Sequence, residues 1–343
     1  MTYNGGISLR DTLVVLSAVF WEERPVNIVI LERNSVGTDI DISCYDRLGT
    51  VTSYRNSLRE DVAEKITDAD ILIANKVPLN GETLKDAPKV KLICELATGY
   101  DNIDLEYCKS RGIRVVNSRN YCTPAVVQHT FALALNVLEH LHYYDNYVKG
   151  GAYAAQDRFS NFDLPYPELM GKTWGIVGMG NIGKGVAEVA KAFGCKVIYY
   201  STTGKNVVEG YEAVDKDTLL RNSDILSLHC PLNDTTRYLI DMDALCKMKP
   251  TAVLVNVARG AVVNNKDLYR ALTENIIAGA GLDVLEQEPI TAENPLSTFM
   301  DSNRLIITPH MAWASTEARQ RVVEEVYKNI EVFLQGEERN VVV

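Results

Sequence analysis

Residues Thr173–Gly183 read Thr-Trp-Gly-Ile-Val-Gly-Met-Gly-Asn-Ile-Gly, an apolar run that opens into glycines spaced G-x-G-x-x-G. No other stretch restricts the fold as much. The run before the glycines suits a strand, and Ala187–Phe193 after them suits a helix, so strand, tight turn and helix must follow one another directly. Gly178 permits the turn, Gly180 lets backbone come close to a pyrophosphate, and Gly183 lets helix and strand pack closely. At the helix start, Asn181, Ile182 and their neighbours present N–H groups and the positive dipole end to phosphate oxygens. This spacing, in this context, predicts a dinucleotide site.

The following strand, Lys196–Tyr200, is where such a unit usually ends in Asp or Glu to bond the adenine ribose. Here Ser201 takes that position, with Thr202 and Lys205 close behind. Hydroxyls and a lysine accept a 2′-phosphate that a carboxylate would repel. NADP or NAD is therefore expected, with NADPH favoured.

Short β-branched runs and amphipathic stretches alternate on both sides of this unit. Strands are predicted at Asn27–Leu31, Thr50–Tyr54, Asp70–Ala74, Val90–Leu96 and Ile113–Asn117, with a helix over Leu58–Thr67. A second series runs through Trp174–Val177, Lys196–Tyr200, Asp224–His229, Ala252–Asn256, Ile277–Asp283 and Leu305–Thr308, closing with a helix over Thr316–Leu334. Such alternation predicts two Rossmann-like, doubly wound parallel-sheet α/β domains, with the active site in the cleft between them. A chain of 343 residues is long enough for both. Between the series, one long helix is expected over Thr123–Lys149, capped by Thr123 and stopped by Gly150-Gly151. An irregular arm, Ala152–Met170, follows it.

Composition removes several function classes. A net charge of −10 gives no general attraction for nucleic acid or anionic membrane. Leu13–Trp21 is too short to span a bilayer, no cleavage site follows it, and residues 1–25 are read as an N-terminal extension. Seven cysteines are scattered without C-x-x-C spacing, as in a reducing, cytoplasmic setting with no structural metal.

Three later segments complete the pattern: Asn256-Val-Ala-Arg259-Gly260, Gly281-Leu-Asp283-Val-Leu-Glu-Gln-Glu288-Pro289 and Thr308-Pro-His310. Together with Gly178–Gly183, in this order and spacing, they resemble the D-isomer-specific 2-hydroxyacid dehydrogenase family, especially its hydroxypyruvate and glyoxylate reductases. The resemblance extends from about Val26 to the C-terminus. It implies a catalytic triad of Arg259, Glu288 and His310. Their chemistry suits reduction of a 2-oxo acid. Charge develops on the carbonyl oxygen as hydride arrives, and a protonated histidine can supply the proton. A neighbouring carboxylate orients the ring and favours the imidazolium. An arginine fork grips the substrate carboxylate and polarises the carbonyl. Glu286 competes with Glu288 by composition, and the family pattern selects the acid directly before the proline.

The resemblance also gives Thr98 and Gly99, in Leu96-Ala-Thr-Gly-Tyr100, to the loop that holds the substrate carboxylate. It places Lys76, in Ala74-Asn-Lys-Val-Pro78, near the mouth of the site. Asp283 is expected to bond the nicotinamide amide. His129 and His229 are expected in structural or cofactor-edge roles, and His140 and His142 in ordinary packing. The implied division is 26–118 with 312–343 as substrate domain and 119–311 as cofactor domain. A homodimer is expected through the long helix and the arm, because Val126, Val127, Phe131, Leu133, Leu135, Val137, Leu138 and Leu141 exceed one core stripe. Glu288 argues against formate oxidation, where the family branch has glutamine. A cofactor-sensing corepressor of the same fold is the alternative function.

Overall fold

β-Branched and aliphatic runs of three to five residues, too short for buried helices, form all but one of the parallel strands of the two sheets. The computed structural model describes residues 24–204 and 207–343. The expected extension lies outside them, apart from its last two residues, as does Lys205. Clustering of the chain yields two units, one holding 24–122 with Ala314–Val343 and the other Thr123–Trp313.

The first unit contains β1 (Asn27–Ile30), β2 (Thr50–Ser53), β3 (Ile71–Ala74), β4 (Leu92–Glu95) and β5 (Arg114–Val116), all parallel, in the order β2-β1-β3-β4-β5. The inner strands β3 and β4 are buried along their whole length, while edge strand β2 is mostly exposed. This is why β3 and β4 read as continuous apolar runs rather than alternating ones. Val29, Leu72, Ile93 and Val115 share one core on one face of the sheet. The helix Thr316–Leu334 packs against β4, burying Val322, Val326 and Ile330. Its start is set by Ser315, whose side chain accepts from Ala318 N–H. The C-terminal residues cover the β5 edge, where Val341 bridges Val116 antiparallel.

The second unit contains β6 (Thr173–Val177), β7 (Lys196–Tyr200), β8 (Glu212–Ala213), β9 (Ile225–Leu228), β10 (Val253–Asn256), β11 (Gly279–Leu282) and β12 (Leu305–Ile307). Their order is β12-β11-β10-β9-β6-β7-β8, all parallel. Side chains alternate between two cores: Val253 and Val255 enter one with Phe131 and Trp174, and Leu254 enters the other with Leu228 and Leu268. Strand order reverses between β6 and β9, and the glycine loop follows β6 at that reversal.

Four expectations are corrected. The helix over Thr123–Lys149 is two helices, Thr123–Leu138 and Leu141–Lys149, because His140 takes a left-handed φ of 53°. Leu58–Thr67 forms only a turn at Arg59–Asp61 and one helical turn at Val62–Lys65. The arm contains a short helix, Ala152–Ala155. The two-residue edge strand β8 was not expected at all. No described helix is long and apolar enough to cross a membrane.

Most of the apolar excess of the Thr123–Leu138 helix is used within its own unit. Val127, Phe131, Leu133, Val137 and Leu138 are buried in its core with Trp174 and Ile176. The helix lies on β10 and β11, and glycines let it come close. A Cβ on Gly281 would sit 2.7 Å from Leu133 Cβ, and one on Gly279 would sit 2.6 Å from Val137 Cγ1.

Candidate active site

The glycine loop has the geometry its sequence implies. Gly178 has φ +90°, and a Cβ there would meet the backbone of His229 and Cys230 at 2.9 Å. A Cβ on Gly183 would lie 2.2 Å from Gly178 O, so helix and strand could not meet with any larger residue. A Cβ on Gly180 would meet nothing within 4 Å, which leaves the approach to the helix start open. The N-cap of the helix Asn181–Ala192 is Gly180, which has no side chain to cap the first turn. A helix N-terminus behind a glycine turn fits a pyrophosphate. Ser201 and Thr202, half-buried, follow β7, and no carboxylate stands at the end of that strand.

His310 and Glu288 are brought together. His310 Nδ1 lies 2.6 Å from Glu288 Oε2, and Glu288 Oε1 accepts from Leu285 N–H at 2.9 Å. The carboxylate is thus fixed by backbone at one oxygen and orients the imidazole with the other. Nε2 is left as the ring nitrogen that faces away from the pair. Both side chains keep some exposure, 26% for His310 and 33% for Glu288.

His310 has φ +52°, a left-handed conformation that a non-glycine residue holds only when its surroundings impose it. Asp283 imposes it. Its Oδ1 accepts from Met311 N–H and its Oδ2 from Ala312 N–H, each at 2.8 Å, and its carbonyl accepts from His310 N–H at 2.8 Å. Thr308 Oγ1 donates to Asp283 Oδ1 at 2.6 Å. With that hydroxyl hydrogen committed, the 2.9 Å contact between His129 Nε2 and Thr308 Oγ1 requires His129 to donate. Burial pushes the Asp283 carboxyl up, yet bonds from His129, Thr308, Ala312 and Met311 outweigh it and hold the carboxyl below its ordinary value. The Asp283 side chain is 1% exposed, with both oxygens bonded inside the chain, and these bonds hold the His310 loop.

Arg259 follows β10 in an extended conformation, and its guanidinium donates to Ala258 O at 2.9 Å. Asn256, fully buried, braces the turn by accepting from Ala258 N–H and donating to Arg259 O. A Cβ on Gly260 would fall 1.9 Å from Leu285 C and O, so the turn carrying Arg259 is pressed onto the loop that leads to Glu288. The competing acid, Glu286, is occupied elsewhere. It accepts from Tyr238 OH at 2.7 Å and from Asn265 N–H at 2.6 Å.

His229 keeps some surface, but its Nδ1 is sealed from solvent without a partner among the described residues. Its Nε2 lies 3.0 Å from Ser227 Oγ, which accepts from Trp174 Nε1 at 2.8 Å. Desolvation pushes its pKa down to about 3, so it is a neutral ring beside the glycine loop. His140 ends up as the left-handed hinge between two helices.

In the first unit, Thr98 lies in the loop after β4. Its hydroxyl donates to Ser118 O at 2.9 Å, and its carbonyl accepts from Asn117 Nδ2 at 2.7 Å, so the approach to Gly99 is braced. Lys76 is exposed in the loop after β3, with its N–H bonded to Glu32 Oε2 at 2.8 Å. Sequence reasoning passed over Glu32, Glu95, Asn102 and the donor role of His129. Glu95 had a readable signal, a charge inside the otherwise apolar run Leu92–Ala97. All seven cysteines are free, and among the described residues no cluster is suited to a metal.

A parallel seven-stranded sheet with a glycine turn at its reversal point, and a histidine–carboxylate pair at the ends of neighbouring loops, defines an NAD(P)-dependent oxidoreductase. The model of the D-isomer specific 2-hydroxyacid dehydrogenase NAD binding domain matches residues 131–312. A glycerate dehydrogenase of Methylorubrum extorquens is 39% identical over 82% of this chain and 88% of its own. A hydroxypyruvate reductase of Blautia hydrogenotrophica is 36% identical over 92% and 99%. An acyclic imino acid reductase solved in complex with NADPH and D-Arg superposes with a TM-score of 0.83 at 31% identity, covering 93% of this chain and 100% of that one. The chain belongs to the D-isomer-specific 2-hydroxyacid dehydrogenase family, and it is a D-2-hydroxyacid dehydrogenase. None of these relatives carries a corepressor name.

Proposed function

We propose that the protein reduces hydroxypyruvate, glyoxylate or a similar small 2-oxo acid to the D-2-hydroxy acid, with NADPH favoured. The observation that carries this reading is the 2.6 Å pair of His310 Nδ1 and Glu288 Oε2, held on a loop that Asp283 anchors. The bound dinucleotide supplies the hydride. His310, with Nδ1 on Glu288, has Nε2 available to give a proton to the carbonyl oxygen as charge develops there. Glu288 keeps the ring oriented and balances the imidazolium. Arg259 grips the substrate carboxylate and draws charge from the carbonyl. In this reading residues 26–118 and 312–343 form the substrate domain, whose Thr98–Gly99 backbone holds the carboxylate with Lys76 adding positive charge. Residues 119–311 form the cofactor domain, with the active site in the cleft between the two.

The preference for NADPH rests on Ser201 and Thr202 standing where a carboxylate would repel a 2′-phosphate, with Lys205 as a further cation. A homodimer in the cytoplasm completes the reading. Its support is the segment 141–170, where Leu141, Val148, Tyr153, Phe159, Phe162, Tyr166 and Met170 are all exposed. Phe159 at 88% and Phe162 at 72% are large apolar side chains left uncovered by their own chain.

A panel of 2-oxo acids assayed with each cofactor tests this. The expected result is highest kcat/KM for hydroxypyruvate or glyoxylate with NADPH. Turnover confined to bulky 2-oxo acids, or to NADH, would contradict it.

A further inference from the structure

In the five-stranded sheet, strand order changes direction between β1 and β3, and open parallel sheets form ligand crevices at the carboxyl ends of such strands. Two carboxyls stand at the carboxyl ends of this sheet's strands, Glu32 just after β1 and Glu95 at the end of β4. Glu32 accepts at Oε2 from the N–H groups of Asn75, Lys76 and Val77, at 2.8, 2.8 and 3.1 Å, and is thereby accounted for. Glu95, the last residue of β4, is completely buried. Its Oε2 accepts from Asn102 Nδ2 at 3.3 Å, while its Oε1 has no partner among the described residues. A half-satisfied carboxyl out of water is costly and marks a place where something besides stability is served.

Its surroundings say what that is. The Asn102 Nδ2 that reaches Glu95 also donates to Val77 O at 3.1 Å, in the turn that carries Lys76. Glu95 O accepts from Ser118 Oγ at 3.0 Å, and Ser118 O accepts from Thr98 Oγ1. Glu95 is the joint between the Lys76 turn and the Thr98–Gly99 loop. Desolvation pushes its carboxyl well above the usual range. The Asn102 bond and the charge of Lys76 oppose that, and Glu32 and Asp101 reinforce it. Cys94 beside it is also buried, its thiol likewise pushed up by burial. On the helix packed against β4, Arg319 is paired with Asp39 and Arg321 donates to Tyr121 O, so neither is committed to Glu95.

We propose that Glu95 is a positioning residue for substrate binding, a buried carboxyl that joins the Lys76 turn to the Thr98–Gly99 loop, and that a negative charge on it weakens binding of 2-oxo acids. The inference rests on the reading that this loop holds the substrate carboxylate. An ionised Glu95 places a negative charge behind a site for an anion and draws on the charge of Lys76.

The test uses the full chain with NADP bound and oxalate as a non-reducible anion, in a His310→Gln background so that this histidine cannot contribute to any pH dependence. As pH is raised from about 7 until Glu95 ionises, affinity for oxalate is expected to fall by about tenfold, the scale of one added charge several ångströms from an anion at intermediate dielectric. Adding Glu95→Gln, which keeps the shape and the neutrality, is expected to flatten that dependence. Parallel losses with and without Glu95→Gln would overturn the proposal while leaving the carboxylate site intact. Failure of oxalate to compete with the 2-oxo acid in the unaltered protein would overturn the site itself, and the proposal with it. Should Glu95→Gln not fold, Asn102→Ala cuts the same joint from the outside. It is expected to raise KM for the 2-oxo acid several-fold with kcat held, and an unchanged KM would overturn the positioning role.

Discussion

At the residue scale the site depends on buried groups that hold exposed ones. His310 can stay half-buried in a strained conformation because Asp283 bonds the N–H groups of Met311 and Ala312. That arrangement has a pH signature. The folded-state pKa of Asp283 lies below its ordinary value, so the folded chain binds fewer protons there than the unfolded chain in mild acid. Its contribution is full above the unfolded carboxylate value and is lost as pH falls through the folded one. Asp283→Asn is therefore expected to cost about 1–3 kcal/mol at neutral pH, the scale of hydrogen bonds to a charged group. The gap to the unaltered protein should narrow below about pH 4. Urea unfolding across that range checks it, and a gap independent of pH would contradict it. Ser201 carries a second test. Ser201→Asp is expected to raise KM for NADPH and improve use of NADH, read by steady-state kinetics with each cofactor. The glycine turn and the closeness of His310 to Glu288 were legible in the sequence, the first from its spacing and the second from the family resemblance. The direction of Asp283 was not, since whether a strand-end aspartate faces a ligand or its own chain depends on a loop that returns 25 residues later, at Thr308.

At the element scale, glycines set how closely pieces approach. Gly183 seats a helix on its strand, Gly279 and Gly281 seat the Thr123–Leu138 helix on β11, and Gly260 seats the Arg259 turn on the Leu285–Glu286 backbone. Only the first of these was legible, because its spacing belongs to a known phosphate-binding turn. The others answer to residues distant in sequence. Gly260→Ala is expected to destabilise by at least about 1–3 kcal/mol, since the new methyl meets rigid backbone rather than a movable side chain. It should also lower kcat by displacing Arg259. Calorimetry and kinetics on the same sample check both, and a variant with unchanged melting temperature would show that the turn can give way. Strand positions were recovered almost throughout, because central parallel strands need continuous apolar runs. The break at His140 was missed because its neighbours Glu139 and Leu141 are ordinary helix formers. Only the backbone reveals the left-handed turn.

At the scale of the whole molecule, the exposed aromatic segment 141–170 is the feature that a single chain does not explain. It is ordered against itself: Tyr144 OH donates to Leu164 O at 2.7 Å, and Tyr147 OH donates to Gln156 Oε1 at 2.8 Å. An arm braced in this way can present Phe159 and Phe162 to a second copy. Sedimentation at micromolar concentration is expected to show twice the single-chain mass, and Phe159→Ser with Phe162→Ser to shift it toward one chain. A fully active species of single-chain mass would remove the dimer as a requirement. The long helix offers a second copy less than its sequence implied, since most of its apolar residues are core. The central claim is that His310, oriented by Glu288, gives the proton in reduction of a 2-oxo acid. Its most direct test is kcat for hydroxypyruvate with NADPH in His310→Ala. The account expects a fall of about 10²–10⁴, the range for loss of a general acid, with the affinity for NADPH retained. A variant that turns over at the unaltered rate would contradict it.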